Sequence, residues 1–461
     1  MHYDALIIGA GLSGLAAGIR LALCGKKVRI FEKHSIPGGL NSYYDRGGAH
    51  FNVGLHAITN YVPENQRSAA LNKILRQLRI KREALQLRRQ LTSEIVFPGA
   101  KLRLENDFES FRDEIRNAFP TQLEGFDRLV KNLPEYESCT EKEDRISARQ
   151  ILQQYITVPL LREMLLCPVM FYGNPLPRDM SYAQFALIFR SVIMEGMARP
   201  YGGMKAVIQL LVSRLEALGG ELSLKNGIAS IQCKDGMVQS VTDEKGAIHT
   251  ADIYISNAGA QETDSLCTGE RAIQPSMRQG EMSFIELIFA MDCKASSLGI
   301  GQSIIFRSTR ENFFFDIPEG DIDCQSHIVC LPGNFEDCSS LDDAFQMRIS
   351  VPASARRWLG KGKAEYAESK QNAASEIEKL ATGIFPQIKG HIIRHELFTP
   401  KTIQRFTGHI NGAIYGSPDK LRDGKTLLEN LRICGTDQGL LGIVGSLTSG
   451  IVTANSCVLN G

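Results

Sequence analysis

Gly9, Gly11 and Gly14, in the run Gly9-Ala10-Gly11-Leu12-Ser13-Gly14, can hold a phosphate against bare backbone. Gly9 permits a tight turn, Gly11 lets the main chain approach a pyrophosphate, and Gly14 allows a helix to pack closely on a strand. A helix starting here, with Leu12 and Ser13 in its first turn, presents free N–H groups and a positive dipole end to an anion. Glu32, followed by Lys33, ends the next apolar run at about the ~20-residue offset from which a carboxylate accepts ribose hydroxyls. Pro37-Gly38-Gly39, with Leu40 after it, offers a second backbone approach to phosphate. The block from Arg199-Pro200-Tyr201-Gly202-Gly203-Met204 to Ile228 suggests a strand returning beside an adenosine. Near the other end, Cys434-Gly435-Thr436-Asp437, with Gly439, Gly442, Gly445 and Ser446, precedes a small-residue helix. Such a turn can set Asp437 on a ribityl or pyrophosphate group and face backbone N–H groups to a flavin ring. The first motif does not separate NAD from FAD; the later three together favour FAD.

These pieces require particular elements. Residues 5–8 and 28–31 read as short strands around a helix at 15–23. Residues 63–199 are mainly helical in pattern, and a second strand–helix block begins at Tyr201. Residues 282–350 carry β-rich runs such as 284–289 and 313–315, a helix spans about 364–381, and 431–434 returns to strand. The reading is an α/β chain, α+β overall. A discontinuous Rossmann-like FAD-binding domain comes from residues 1–62, 200–262 and 425–461. The substrate domain combines a helical part (63–199) with a mixed, β-rich part (263–424).

The bulk numbers fit that reading. The 461 residues are 43% apolar and 22% charged, with a net charge of +1 that gives no basic signature for nucleic acid. The 11 cysteines show no C-x-x-C pair and no zinc spacing, so no metal site is expected, and they read as buried apolar residues of a reducing cytoplasm. No secretory pattern opens the chain, and no apolar run reaches the ~20 residues of a spanning helix. Peripheral membrane contact stays open. In residues 71–90, Leu71, Ile74, Leu75 and Leu78 follow helical spacing beside seven Lys and Arg, a pattern equally suited to anionic lipid or to a solvated face. Residues 169–171 and 185–189 fit either a greasy entrance or core.

The order and spacing of several further segments resemble the FAD-dependent phytoene desaturase and carotenoid isomerase superfamily, above all its retinol saturase-like branch. Asn52-Val53-Gly54-Leu55-His56 is similar to the branch's D-x-G-[IL]-H element, and Tyr172-Gly173-Asn174-Pro175 to its YG-x-x-P element. Thr399-Pro400-Lys401-Thr402 with Gly412-Ala413-Ile414-Tyr415-Gly416, and Gly435-Thr436-Asp437 with 442–447, resemble two later ones. The likeness covers most of the chain. Asn52 stands in place of the usual Asp, and Leu40 where many relatives carry Arg.

The resemblance implies hydride chemistry at a flavin on the C=C bonds of a polyene or isoprenoid lipid: saturation, desaturation or isomerisation. The electron donor or acceptor is unknown, since no second G-x-G-x-x-G module is present. His56 is then the first candidate for moving or positioning a proton, against a purely structural role. Tyr415 and Thr402 lie in a segment that would line the cavity opposite it, against ordinary strand packing. Cys434 is either reactive or buried. A flavin amine oxidase, which would release hydrogen peroxide, is the second reading, and a flavin-carrying, membrane-recruited protein without turnover is the third.

Overall fold

The computed structural model describes residues 2–54, 56–133, 146–338 and 342–459. Leu55, one residue of the segment that ends at His56, lies outside them.

The strand His2–Ile8 is buried over its last four residues because both of its neighbours and both of its faces are covered. Val28–Phe31 and Ile248–Ser256 flank it in parallel, with Ala5 opposite both Val28 and Ile253. Glu221–Ser223 adds in parallel outside Val28–Phe31, and Leu431–Ile433 outside Ile248–Ser256. Five strands from the beginning, middle and end of the chain thus share one parallel sheet. Beyond Ile248–Ser256 the same sheet turns antiparallel through Met237–Asp243 and Ile228–Lys234.

The helix Leu12–Leu23 packs against Gly203–Ala217 and Gly442–Leu459. A Cβ at Gly450 would overlap the Ser13 carbonyl oxygen, so glycine is what lets the first and last helices touch. Gly442–Leu459 is long and apolar enough to cross a membrane. Here Ile443, Val444, Leu447 and Ile451 instead fill the core beneath the first helix.

The second large sheet runs in the order Ile392–Phe398, Met282–Met291, Gln346–Ser354, Ser326–Cys330, Ile304–Ser308, Ser93–Phe97 and Ala100–Leu104. Its two faces differ. Leu287, Phe289, Ile349 and Val351 pack with Ala373, Ile377 and Ala381 of the helix Lys363–Ile384. Phe284, Phe306 and Ile328 belong to a core shared with the helices Phe108–Ala118, Leu123–Lys131, Ala148–Tyr155, Pro159–Gly173 and Tyr182–Phe189.

Several expectations change. The block at 63–199 is not all helical: Ser93–Phe97 and Ala100–Leu104 form a hairpin that joins the second sheet, with Ser93–Phe97 parallel to Ile304–Ser308. Its alternation of Ile95 and Phe97 with Leu102 and Leu104 is strand patterning within a helical context. Residues 313–315 are not in a strand; Phe313 and Phe315 instead pack around Phe171. Within 71–90 the helix is only Ala70–Leu78, ended by Arg79 at φ 52°. Its apolar face, Leu71, Ile74, Leu75 and Leu78, packs in the core with Ile443, Val444 and Leu447, which removes that face from any lipid. Residues 185–189 are core as well, with Phe185 and Phe189 fully buried.

Candidate active site

A single cavity of about 950 Å³ runs from the carboxyl ends of the parallel strands to the inner face of the second sheet. Crevices at such strand ends are where dinucleotides bind in open α/β sheets. At this end the wall holds Gly9, Gly11, Leu12, Ser13, Glu32 and Lys33, then Gly38, Gly39 and Leu40. Ile228, Gly435 and Ser446 complete it from the distant segments.

The glycine loop is built for close approach. Gly9 has φ 93°, and the helix Leu12–Leu23 begins at Gly11, which has no side chain to cap it, so the N–H groups of Leu12 and Ser13 are open to an anion. The N–H of Gly38 donates to the Ala10 carbonyl at 2.8 Å, bringing the second glycine pair against the first loop. Glu32 fastens this arrangement: Oε2 accepts from Ala10 N at 2.8 Å and Oε1 from His34 N at 2.9 Å. Each carboxylate oxygen keeps further acceptor capacity, so a ribose hydroxyl can still be received. An uncapped helix start, bare glycine backbone and a buried carboxylate in one continuous wall fit a dinucleotide or flavin cofactor.

Three residues named from the sequence stand behind the wall. Gly14 packs so closely that a Cβ there would overlap the Gly9 carbonyl oxygen, and its N–H donates to Asn257 Oδ1 at 3.1 Å. Asp437 is 3% exposed, and its two oxygens accept from Ala260 N and Ser417 N, each at 2.6 Å. It pins two loops to the turn at Gly435 and does not face the cavity. Gly445 sits against the backbone of Leu440. Asn257 was not foreseen; besides holding Gly14, it donates Nδ2 to the Cys434 carbonyl at 3.4 Å, tying the first and last segments together. Its position in the turn directly after a buried parallel strand was the available signal.

The far end of the cavity is apolar and aromatic, with Phe171, Tyr172, Phe284, Ile328, Ile414 and Tyr415 in its wall. Polar groups interrupt it at one cluster. Glu286 lies directly opposite Ser350 on the neighbouring strand, so both side chains share a face. Ser350 Oγ donates to Glu286 Oε2 at 3.0 Å, and His56 Nε2 stands 3.3 Å from Ser350 Oγ and 3.4 Å from Glu286 Oε2. Arg348, with no exposed side-chain surface, pairs with Glu286 Oε1 through Nε at 2.9 Å and donates NH2 to the Asn52 carbonyl at 2.7 Å. Glu286, Ser350 and Arg348 were not among the residues singled out. A lone Glu inside the apolar strand Met282–Met291 was the signal.

Burial pushes His56 down to about 4, Arg348 and Arg199 push the same way, and Glu286 opposes them. The imidazole is therefore neutral near pH 7. Burial works against a charge on Glu286 too, but Arg348, His56 and the hydrogen bonds from Arg348 and Ser350 hold it below the ordinary carboxylate range. Tyr415 also lines the cavity, but its hydroxyl donates to the Phe171 carbonyl and burial raises it far above the usual phenol range. Thr402 is in the wall as part of the helix Pro400–Thr407, which Thr399 caps, and not of a strand. Burial raises the Cys434 thiol, which is 1% exposed, and so favours its unreactive form.

The profile of the NAD(P)-binding Rossmann-like domain family matches residues 7–78. Prolycopene isomerase 1 of an Oncidium hybrid cultivar is 23% identical, over 92% of this chain and 77% of its own. The all-trans-retinol 13,14-reductase of Danio rerio is 24% identical, over 99% and 86%. Among solved structures, an oxidoreductase from Methanosarcina mazei superposes with a TM-score of 0.66 at 18% identity, over the whole of both chains, and supports the fold. Together with the spacing of the segments around His56, Asn174, Tyr415 and Asp437, these matches support the resemblance of the chain to the superfamily of phytoene desaturases and carotenoid isomerases, and within it to the retinol saturase-like branch.

Proposed function

We propose that this protein binds FAD and carries out hydride chemistry on the C=C bonds of a polyene or isoprenoid lipid. One observation carries the reading: the cavity that begins at the bare glycine loops continues, without a partition, into an aromatic pocket with one polar cluster. The flavin would supply the hydride chemistry, as cofactors of its class do.

The chain's own residues do the rest. The N–H groups at the start of Leu12–Leu23, with Gly38 and Gly39, would hold the pyrophosphate, and Glu32 the ribose. Gly435 and Ser446, both in the cavity wall, would border the flavin ring. Phe171, Phe284, Ile328 and Ile414 would align an extended apolar chain and exclude water. His56, neutral and backed by Glu286 at Nε2, would accept or position a proton at Nδ1.

Substrate relatives named for carotenoids and retinol support the lipid part of the reading. A membrane-dissolved substrate would bring the protein to a lipid surface; Lys73, Arg76, Arg79 and Lys81, all exposed, are cations suited to that contact. Electrons would then come from or go to a partner that docks transiently. The test is an absorbance spectrum followed by anaerobic reduction and addition of a polyene. Flavin bands near about 370 and 450 nm that a polyene restores after reduction are the expected result. Peroxide formed from amines, with no response to polyenes, would replace this reading by the amine oxidase one.

A further inference from the structure

We propose that Asp292, Cys293 and His391 form a binding site for one borderline divalent cation such as zinc, at the outer end of the second sheet and remote from the cavity. The inference stands apart from the polyene reading above and survives if that reading fails.

The three side chains come from two places in the chain that only the fold brings together. Asp292 and Cys293 follow the strand Met282–Met291, and His391 precedes Ile392–Phe398, which pairs with it antiparallel. Met291 lies opposite Ile392, and Asp292 N donates to the His391 carbonyl at 3.0 Å, so the pairing extends one step past both strands. His391 N in turn donates to the Ile388 carbonyl at 3.0 Å, with Gly390 at φ 90° in the turn between them. Main-chain bonds thus fix both segments before any ion arrives. One donor atom from each side chain lies within 4.8 Å of the other two, the only such group of His, Cys and carboxylate among the described residues. Asp292 and His391 are 99 residues apart, which is why no zinc spacing shows in the sequence. None of the three lines the cavity, and the run of strand from Glu286 to Asp292 spans about 20 Å.

The donor set selects the ion. Thiolate sulfur, imidazole nitrogen and carboxylate oxygen are the protein donors that zinc takes, whereas magnesium and calcium ask for oxygen. Tetrahedral zinc bonds of about 2.0–2.3 Å set the ligand atoms about 3.3–3.8 Å apart, within the spread of these donors. His391 Nδ1 stands 2.8 Å from Asp292 Oδ1 and shares a proton with it. An ion would take that proton's place, the two atoms parting by about half an ångström. The imidazole proton then sits on Nε2, and Cys293 releases its thiol proton to solvent. The Asp292 and His391 side chains are 53% and 38% exposed, which leaves room for water in the fourth position. A surface hydrogen bond between Asp292 and His391 has no use for a thiol beside it; an ion uses all three. The strand Ile392–Phe398 edges its sheet and grips the hairpin of Tyr43–Arg46 and Ala49–Asn52, through Arg394 on the Gly47 carbonyl at 2.9 Å and Glu396 on Arg46 at 3.0 Å. An ion would clamp the outer end of that edge strand to its neighbour.

The test takes the full chain, treated with a chelator and desalted, and titrates it with Co²⁺, whose spectrum reports its ligands. One equivalent is expected to bind, with a thiolate-to-cobalt charge-transfer band in the near ultraviolet, read as a difference spectrum so that any bound flavin cancels. Zn²⁺ should displace the Co²⁺ one for one, and Mg²⁺ or Ca²⁺ in large excess should not. Cys293→Ser should abolish the band; serine keeps the size of the side chain, so the loss reports the sulfur. His391→Ala and Asp292→Asn should each weaken Co²⁺ binding at least about tenfold. Cys24→Ser, at an exposed cysteine elsewhere, should leave both band and affinity as they were. Absence of saturable binding at one equivalent, a band that survives Cys293→Ser, or an unchanged affinity in His391→Ala overturns the proposal and leaves the polyene reading standing.

Discussion

Asn52 Nδ2 donates to Asp343 Oδ2 at 3.0 Å, while Asn52 Oδ1 accepts from Met204 N at 2.7 Å. The amide thus spans two segments, donating on one side and accepting on the other. Asp343 is also paired with the fully buried Arg199, which donates NH1 to the His56 carbonyl at 3.3 Å. The residue that departs from the common family pattern therefore sits within the network that positions His56.

Asn52→Asp should be destabilising. It removes the donor and sets a second carboxylate against Asp343 in a buried site, which costs about 2–4 kcal/mol. Urea denaturation at neutral pH measures the loss. The loss should shrink in mild acid, where one of the paired carboxyls takes up a proton.

Stability should fall as the pH drops from about 6.5 towards 4. His56 is held down to about 4 by burial, and His327, whose Nδ1 is 3.0 Å from the Cys324 carbonyl, is depressed to about 4 for the same reason. The unfolded chain takes up protons on both in this window and the folded chain does not, so the stability present above the unfolded value is lost on acidification. His56→Gln should remove one of the two contributions, about 2 kcal/mol at pH of about 5. Equal slopes for both proteins would show that His56 is not buried in its neutral form.

Gly14→Ala should yield protein without bound flavin. A Cβ at that position overlaps the Gly9 carbonyl oxygen, so the helix start must move away from the loop it serves. Gly25→Ala is the control. Gly25 has φ 77° and nothing within 4 Å of an added Cβ, so only the left-handed backbone is penalised, by about 1 kcal/mol. Absorbance near about 450 nm, measured per mole of protein, separates the two.

Tyr415→Phe should leave the pH dependence of turnover unchanged. The hydroxyl serves the Phe171 carbonyl and is too strongly raised to release a proton near neutrality. Its loss should appear in thermal unfolding as about 1–2 kcal/mol, from a buried carbonyl left without its donor. A shifted pH profile would reassign the proton role to Tyr415.

Leu75→Ala should cost about 3 kcal/mol, whereas Arg76→Ala should change stability by less than about 0.5 kcal/mol. The two neighbours look in opposite directions from one short helix, Leu75 into the core and Arg76 into solvent. Chemical denaturation of both variants checks this.

The cofactor end was legible in the sequence for a physical reason. Gly9, Gly11 and Glu32 answer to local requirements, a tight turn, a bare backbone and a carboxylate at a strand end, each written within a few residues of the element it serves. The chemistry of the far end is written differently. Glu286 meets Ser350 and Arg348 only because strand register pairs segments some sixty residues apart, and nothing local to either strand encodes that register. Asp437 shows the converse: its acidic type and Gly-rich setting were visible, but its backbone partners, Ala260 and Ser417, come from elsewhere in the chain and turn it inward. The helix at Ala70–Leu78 was ambiguous because a basic amphipathic pattern does not say what covers its apolar side.

The junction of Gly450 on Ser13 has a bearing on biosynthesis. The glycine loop and its two strands leave the ribosome well before the other side of the crevice, with Gly435 and Ser446, has been translated. A nascent chain can shape its first helix and still present only half a cradle. A complete cradle therefore requires that synthesis has passed the helix Gly442–Leu459, so a bound dinucleotide cofactor would report that this helix is in place.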